Sequence, residues 1–318
     1  MIRHTLAHAS EFMAIPWPLQ IFVSLVSGLR NSMRFKKLGY VSPQNAYTRK
    51  QAAALLRELM HHSSASDTVY EVFPAFTATP PFFGEVIDQA RGYDARVILY
   101  MAPVENSLNC GSLCTWIQQN LSGKEQAAVK VVSCFRRDRR LIDVYLDHVF
   151  HHTGEFVRGG GSPVLILAFH GTLVADREGK PPSFRTGARE MIEFGEALKE
   201  AILHDRRNSF TRIIVSFLNH DLGGTWTEPS LEETLAGLGR DAADPVELFP
   251  AGYFSDGNET CLKAREALRS AGIERVACIP CVNDSDMFAG YLSQRVAAAA
   301  EEVLAMNRGR EKEESTDG

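Results

Sequence analysis

Short apolar runs alternate along this chain with longer stretches of helical periodicity. The runs fall at 69–73, 97–101, 129–134, 164–169, 212–217, 246–249 and 275–279. They are rich in β-branched and aromatic residues, and several are almost continuously apolar, as strands covered on both faces are. The clearest helical pattern covers 187–203, where Ala188, Met191, Gly195, Leu198 and Ile202 recur at steps of three and four with charges on the other face. Residues 51–59 and 285–306 carry the same propensity. Alternation of this kind predicts an α/β protein with mostly parallel sheets.

Gly159-Gly160-Gly161-Ser162-Pro163 interrupts the pattern near its midpoint, just before a new strand. The expected organisation is an N-terminal α/β half over 1–158, a C-terminal α/β half over 159–306, and a polar, charged, disordered tail over 307–318. A cleft is expected between the halves. Residues 16–29 (PWPLQIFVSLVSGL) are apolar but too short to span a bilayer. They read as a core helix or as a lip that holds an apolar ligand or touches a membrane surface.

Composition narrows the picture. The 318 residues suit two domains, and 45% apolar with 23% charged residues is ordinary for a globular protein. A net charge of −5 argues against a nucleic-acid partner held by phosphate contacts. Six scattered cysteines predict free thiols in a reducing compartment, and no signal peptide or membrane-spanning run is read, so a cytoplasmic protein is expected. Cys278-Ile279-Pro280-Cys281 has C-x-x-C spacing, but a proline sits inside it and no helix start follows; a zinc or iron–sulfur site needs four ligands, so the cysteines read as core or strand-end residues and no iron–sulfur cluster is expected. The usual glycine-rich nucleotide fingerprints are absent.

Ligands of open α/β folds bind beyond the carboxyl ends of the strands, and three motifs occupy such positions. Ala168-Phe169-His170-Gly171-Thr172 follows an apolar strand. His170 there reads either as a proton acceptor or metal ligand, or as a turn cap; Gly171 would allow a sharp turn. The second motif runs from Phe217 through Asn219, His220, Asp221, Gly223, Gly224 and Trp226 to Pro229. His220 and Asp221 read as acid–base groups, or the segment is a solvated loop with a packing Trp. Ser230 and Glu233 then form a capping box for the next helix. The third motif is Phe249-Pro250-Ala251-Gly252-Tyr253-Phe254-Ser255-Asp256-Gly257-Asn258-Glu259-Thr260. Glu259 is either an ordinary first-turn acid or a base or metal contact facing His170.

In this order the motifs resemble the ferrochelatase family, whose members insert iron(II) into a porphyrin. The family shows F-H-G-x-P, then F-Q-S-R-x-G-x-x-x-W-L-x-P-x-T-x-x-x-L, then P-x-G-F-x-S-D-H-x-E-T-L, then I-P-x-L-N. The chain has Phe169-His170-Gly171-Thr172, then Phe217, Trp226, Pro229 and Leu235 at matching spacing, then Pro250 through Glu259-Thr260, then Ile279-Pro280-Cys281-Val282-Asn283. A weaker likeness covers Glu11-Phe12 to Pro16, Tyr40-Val41-Ser42-Pro43 with Thr48 and Gln51-Ala52, and Met101-Ala102-Pro103 to Ser107.

The resemblance implies two Rossmann-like, chelatase-type halves around a porphyrin cleft, and a ferrochelatase acting as a metal-porphyrin lyase in haem biosynthesis. It implies His170 and Glu259 as the catalytic pair and transient metal ligands, with Trp226, Pro229, Phe254, Ser255 and Asp256 lining the porphyrin site. Fe2+ is a substrate in that scheme, and the porphyrin is protoporphyrin or coproporphyrin. Peripheral membrane contact would run through 16–29. Two alternatives stay open: a porphyrin- or haem-binding paralogue without catalysis, and a chelatase for another metal and tetrapyrrole. The sequence departs from the pattern in several places. The family's opening N-x-G-T-P strand has no counterpart, which should leave the first sheet gapped or compensated. Its R-Y pair is replaced within 73–81, Gln-Ser-Arg by Leu218-Asn219-His220, the third-motif histidine by Gly257, G-D-P-Y by Gly179-Lys180-Pro181-Pro182, and the acid four residues after Glu259 by Lys263.

Overall fold

The computed structural model describes residues 17–63, 68–77, 79–153, 163–220, 223–238, 244–273 and 275–316. The linker glycines Gly159, Gly160 and Gly161, the family-like opening at Glu11 to Pro16, and Asp221 lie outside these residues.

The described chain opens with helices α1 (Trp17–Leu38) and α2 (Gln44–Ser63). Helix α3 (Phe83–Gln89) precedes strand β1 (Arg96–Leu99); α4 (Ser112–Asn120) and α5 (Gly123–Ala127) precede β2 (Val129–Val132), and α6 (Arg139–His152) follows. Then come β3 (Val164–His170), β4 (Leu173–Ala175), α7 (Ala188–His204), β5 (Arg212–Leu218), β6 (Thr225–Trp226) and α8 (Leu231–Leu238). Strand β7 (Val246–Phe249), α9 (Ala264–Ser270), β8 (Val276–Cys278) and α10 (Asp286–Thr316) complete it.

The principal sheet has four parallel strands in the order β5-β3-β7-β8. Strand β3 is central, and six of its seven residues are buried. That is why VLILAFH reads as an unbroken apolar run: helices cover both faces of a parallel sheet. Register places Phe169 opposite Phe217 and His170 opposite Leu218, so both strands end side by side. Helix α8 starts as its capping box demands, with the Glu233 carboxylate accepting from the Ser230 N–H (2.8 Å) and the Glu233 N–H donating to the Ser230 hydroxyl (3.1 Å).

The first sheet is smaller. Strands β1 and β2 pair in parallel, and no third strand joins them among the described residues. The run at 69–73, expected as a strand, makes no ladder pairing among the described residues. A strand needs a neighbour as well as a pattern, and a cavity separates this segment from β1.

Helix α10 belongs to the second half by sequence, yet it packs over α2, α6, β1 and β2. It also continues to Thr316, so residues 307–316, expected as a disordered tail, are helical. The Asn307 amide donates to the Asp94 carbonyl (3.0 Å), and the charged residues that follow are mostly good helix formers. One core unites both halves: Leu55, Leu59, Phe135 and Tyr145 meet Leu165, Leu167, Phe169 and Phe254.

Candidate active site

Three chain segments converge at the carboxyl end of the principal sheet. His170 is the last residue of β3. Gly171 follows it, and the loop after β5 passes so close that a Cβ on Gly171 would stand 2.6 Å from Asn219 Cα. Close approach, rather than a positive φ, is therefore what requires glycine there. The Asn219 amide donates to the Thr227 carbonyl (2.7 Å), and the Thr172 N–H donates to the Thr227 hydroxyl (3.2 Å). These bonds clamp the antiparallel β4–β6 pair against the loop and hold His220 beside the Trp226 ring, with centroids 5.6 Å apart.

The third segment follows β7. The Gly252 N–H donates to the Ala168 carbonyl (3.0 Å), and a Cβ at Gly252 would lie 2.8 Å from Phe169 Cα. The backbone thus runs flat against β3 before it reaches Tyr253. Asp256 is buried: its carboxylate accepts from the Thr260 hydroxyl (3.0 Å) and the Asn283 amide (2.8 Å). This network anchors the start of a wide π-turn over Glu259–Lys263, a distortion frequent at functional sites.

The result is a compact donor cluster. His170 Nε2 lies 3.6 Å from Glu259 Oε1, His220 Nε2 lies 3.3 Å from the same oxygen, and the two Nε2 atoms are 3.3 Å apart. The Tyr253 hydroxyl donates to Glu259 Oε2. Burial pushes the Glu259 carboxyl up, but His170, His220, the Tyr253 hydroxyl and Lys263 outweigh it and hold it below its ordinary value. Tyr253 is driven well above the usual phenol range by burial and by Glu259, so its hydroxyl stays a donor. Lys263, which stands where the family pattern has an acid, donates to the Asn219 carbonyl and so ties the π-turn to the His220 loop.

His170 and Glu259 form one wall of a cavity of about 1370 Å³, which also takes in Tyr253 and Ser255 and extends between 68–73 and β1. On the other side, His220, Glu259 and Lys263 face a second cavity of about 1030 Å³. The three donors stand between the two.

The sequence-predicted residues are distributed unevenly around this cluster. His170 and Glu259 are adjacent, and Ser255 lines the larger cavity. Trp226 is half-buried against His220. Pro229 offers its carbonyl to the Phe217 N–H (3.0 Å) and braces β5. The Phe254 ring is 2% exposed and packs on Phe135 and Phe288, with centroids 5.3 and 4.7 Å away. Asp256 serves the anchor network. Asp256 supports the wall from behind, while Phe254, though its ring packs inward, is among the residues that line the larger cavity. Sequence reasoning gave Tyr253 no role and noted Lys263 only as a departure from the family pattern; the spacing of the third motif carried no signal of either contact.

A profile of the family described as Ferrochelatase matches residues 4–300. The chain belongs to the ferrochelatase family. It is 25% identical over 305 residues to the ferrochelatase of Neisseria meningitidis serogroup C, covering 90% of this chain and 83% of that one. It is 24% identical over 299 residues to the ferrochelatase of Bordetella pertussis, covering 87% and 78%. Among solved structures it resembles SirB from Bacillus subtilis with Fe3+, at a TM-score of 0.50 and 12% identity, covering 81% of this chain and 90% of that one. That likeness supports a chelatase-type fold. As a ferrochelatase-family member the chain is a metal-insertion chelatase. Among the described residues, no helix is long and apolar enough to cross a membrane.

Proposed function

We propose that this protein is a metal-porphyrin lyase that inserts Fe2+ into protoporphyrin or coproporphyrin in haem biosynthesis. The observation that carries this reading is the His170–Glu259 pair, 3.6 Å apart on the wall of a cavity large enough for a macrocycle. Metalation forms the iron–nitrogen bonds and releases two pyrrole protons. Glu259, kept ionised by its neighbours, and the imidazole of His170 are the bases that take those protons from the ring. A carboxylate and an imidazole also suit brief contact with Fe2+ before transfer. Phe254 and Ser255 line the larger cavity and Asp256 anchors the turn behind them, while Trp226 packs on His220 and Pro229 braces β5. Helix α1 exposes Val26, Leu29 and Met33 beside Arg30, Arg34, Lys36 and Lys37, a face suited to peripheral membrane contact.

A second reading, a porphyrin-binding protein without turnover, is favoured by the two-stranded first sheet, which leaves the larger cavity broad. One experiment separates the two. Purified protein is mixed anaerobically with Fe2+ and porphyrin, and loss of porphyrin fluorescence is followed. Enzyme-dependent loss with haem formation is expected, and His170→Ala should abolish it while leaving porphyrin binding largely intact. Binding without metalation by the wild-type protein would favour the carrier. Undiminished turnover in His170→Ala would remove His170 from the mechanism.

A further inference from the structure

We propose that His220 is a third, direct ligand that joins His170 and Glu259 in holding a divalent transition-metal ion before porphyrin arrives. The inference deepens the chelatase reading and rests on it, since it names how the metal substrate is held. His220 stands where the family pattern has Arg, so the third donor is a property of this chain.

Geometry carries the argument. The three donor atoms form a nearly equilateral triangle with sides of 3.3, 3.3 and 3.6 Å. An ion bound tetrahedrally at about 2.0–2.1 Å from its ligands has ligand–ligand edges of about 3.3–3.4 Å. The triangle therefore matches one face of a coordination tetrahedron. An ion about 2 Å from each donor would sit just off its plane, leaving the remaining position open, as in sites that do chemistry rather than structure. Two imidazoles and a carboxylate make a borderline donor set that accepts Fe2+, Co2+ and Zn2+.

The surroundings fit the same role. Each donor is fixed by a different segment: His170 by β3, His220 by the loop clamped through Asn219 and Thr227, and Glu259 by the π-turn and the Tyr253 hydroxyl. Lys263 ties the second segment to the third. His220 and Glu259 also face the smaller cavity, so an ion can reach the donors without crossing the space proposed for porphyrin. The competing account is a hydrogen-bonded relay in which one imidazole N–H points at the other and no ion binds.

Co2+ alone is the probe, titrated into untagged wild-type protein without porphyrin and read by calorimetry and by its visible absorption. Stoichiometric binding is expected. His220→Ala should weaken it at least about tenfold, as loss of even an outer-shell partner commonly does. Proton NMR of the Co2+ complex tests coordination directly: hyperfine-shifted resonances from two coordinated imidazoles are expected in the wild type and from one in His220→Ala. The set that His220→Ala keeps, from His170, also answers the objection that the variant is merely misfolded. Equal Co2+ affinity in wild type and His220→Ala, or a wild-type complex with shifted resonances from fewer than two imidazoles, overturns the proposal. Absence of Co2+ binding in the wild type overturns it too. Tight Co2+ binding without porphyrin metalation would uphold the three-donor site and sink the ferrochelatase reading instead.

Discussion

The two parallel sheets differ in what they were given to bury. In the principal sheet, β3 has a neighbour on each side and six of seven residues are buried. In the first sheet, β1 has one neighbour among the described residues, β2, and only Arg96 of its four residues is buried. The other edge of β1 faces a cavity that the segment 68–73 also lines. The chemistry follows the same division. His170, His220 and Glu259 all leave the well-packed sheet, where register fixes where a side chain ends up. The poorly packed sheet supplies cavity wall through Val97 and Leu99, and the segment opposite it adds Tyr70 and Val72. A donor cluster with tolerances of a few tenths of an ångström is best held by a strand end and by loops anchored to rigid strands. A wall that must admit a large apolar ligand needs no such anchoring.

The sharpest test of this contrast uses the same substitution in both sheets. Leu167 in β3 is fully buried, so Leu167→Ala should cost about 3–5 kcal/mol of unfolding free energy through lost burial and the cavity left behind. Leu99 in β1 is only partly buried, and Leu99→Ala should cost less than about 2 kcal/mol. Chemical denaturation of the two variants decides it. Equal losses would mean that the open edge of β1 is covered in solution.

A second test exploits a weakness inside the stronger sheet. Glu247 lies in β7, 1% exposed, with no hydrogen-bond partner for either carboxylate oxygen. Burial pushes its pKa from 4.5 to about 7, and the neighbouring Thr153 hydroxyl offsets little of this, because it donates to the Val149 carbonyl (2.7 Å). The folded protein therefore holds this proton more tightly than the unfolded chain. Its stability should be unaffected by Glu247 below pH 4.5, fall as pH rises toward about 7, and level off above it. Glu247→Gln should remove that fall and exceed the wild type above neutral pH by on the order of 3 kcal/mol at most. Unfolding curves measured across pH 4 to 9 test this (roughly the range in which carboxyl and imidazole groups titrate). Parallel profiles for the two proteins would mean that Glu247 is solvated in the native state.

Much of the principal sheet was legible because each of its strands carries its own apolar run and each run found partners. The same reasoning failed at 69–73, where the run exists but the neighbour does not. Alternation reports burial and propensity; pairing is a property of two segments at once. The polar end of α10 misled for a related reason: charge alone argues for disorder, but Asn307 meets Asp94 and the helix is already nucleated upstream. At the site, motif spacing brought His170 and Glu259 to notice. It could not show that β3 and β5 end in register, which puts His220 within reach of both. Nor could it show that the Phe254 ring and the Asp256 carboxylate turn inward, because loop direction after β7 depends on the close pass of Gly252 over Phe169.

The smallest expected effect concerns the tie between the two loops that the principal sheet presents. Lys263 donates to the Asn219 carbonyl, and its charge is among the influences that hold the Glu259 carboxyl low. Lys263→Met keeps the aliphatic stem and removes both the bond and the charge. One charge-assisted hydrogen bond at a half-buried site contributes about 1–2 kcal/mol, so the unfolding midpoint should drop slightly. The more telling readout is the pH profile of metal insertion. Without the lysine, Glu259 should be protonated at a higher pH, so the acid limb of the profile should move upward while the alkaline limb stays put. The family pattern has an acid at this position, and Lys263→Glu should move the acid limb further in the same direction. If both variants lose stability but leave the acid limb where it was, Lys263 is only a strut between loops. If the limb moves and stability does not, the residue's main work is electrostatic, and the well-packed sheet needs no help in aiming its donors.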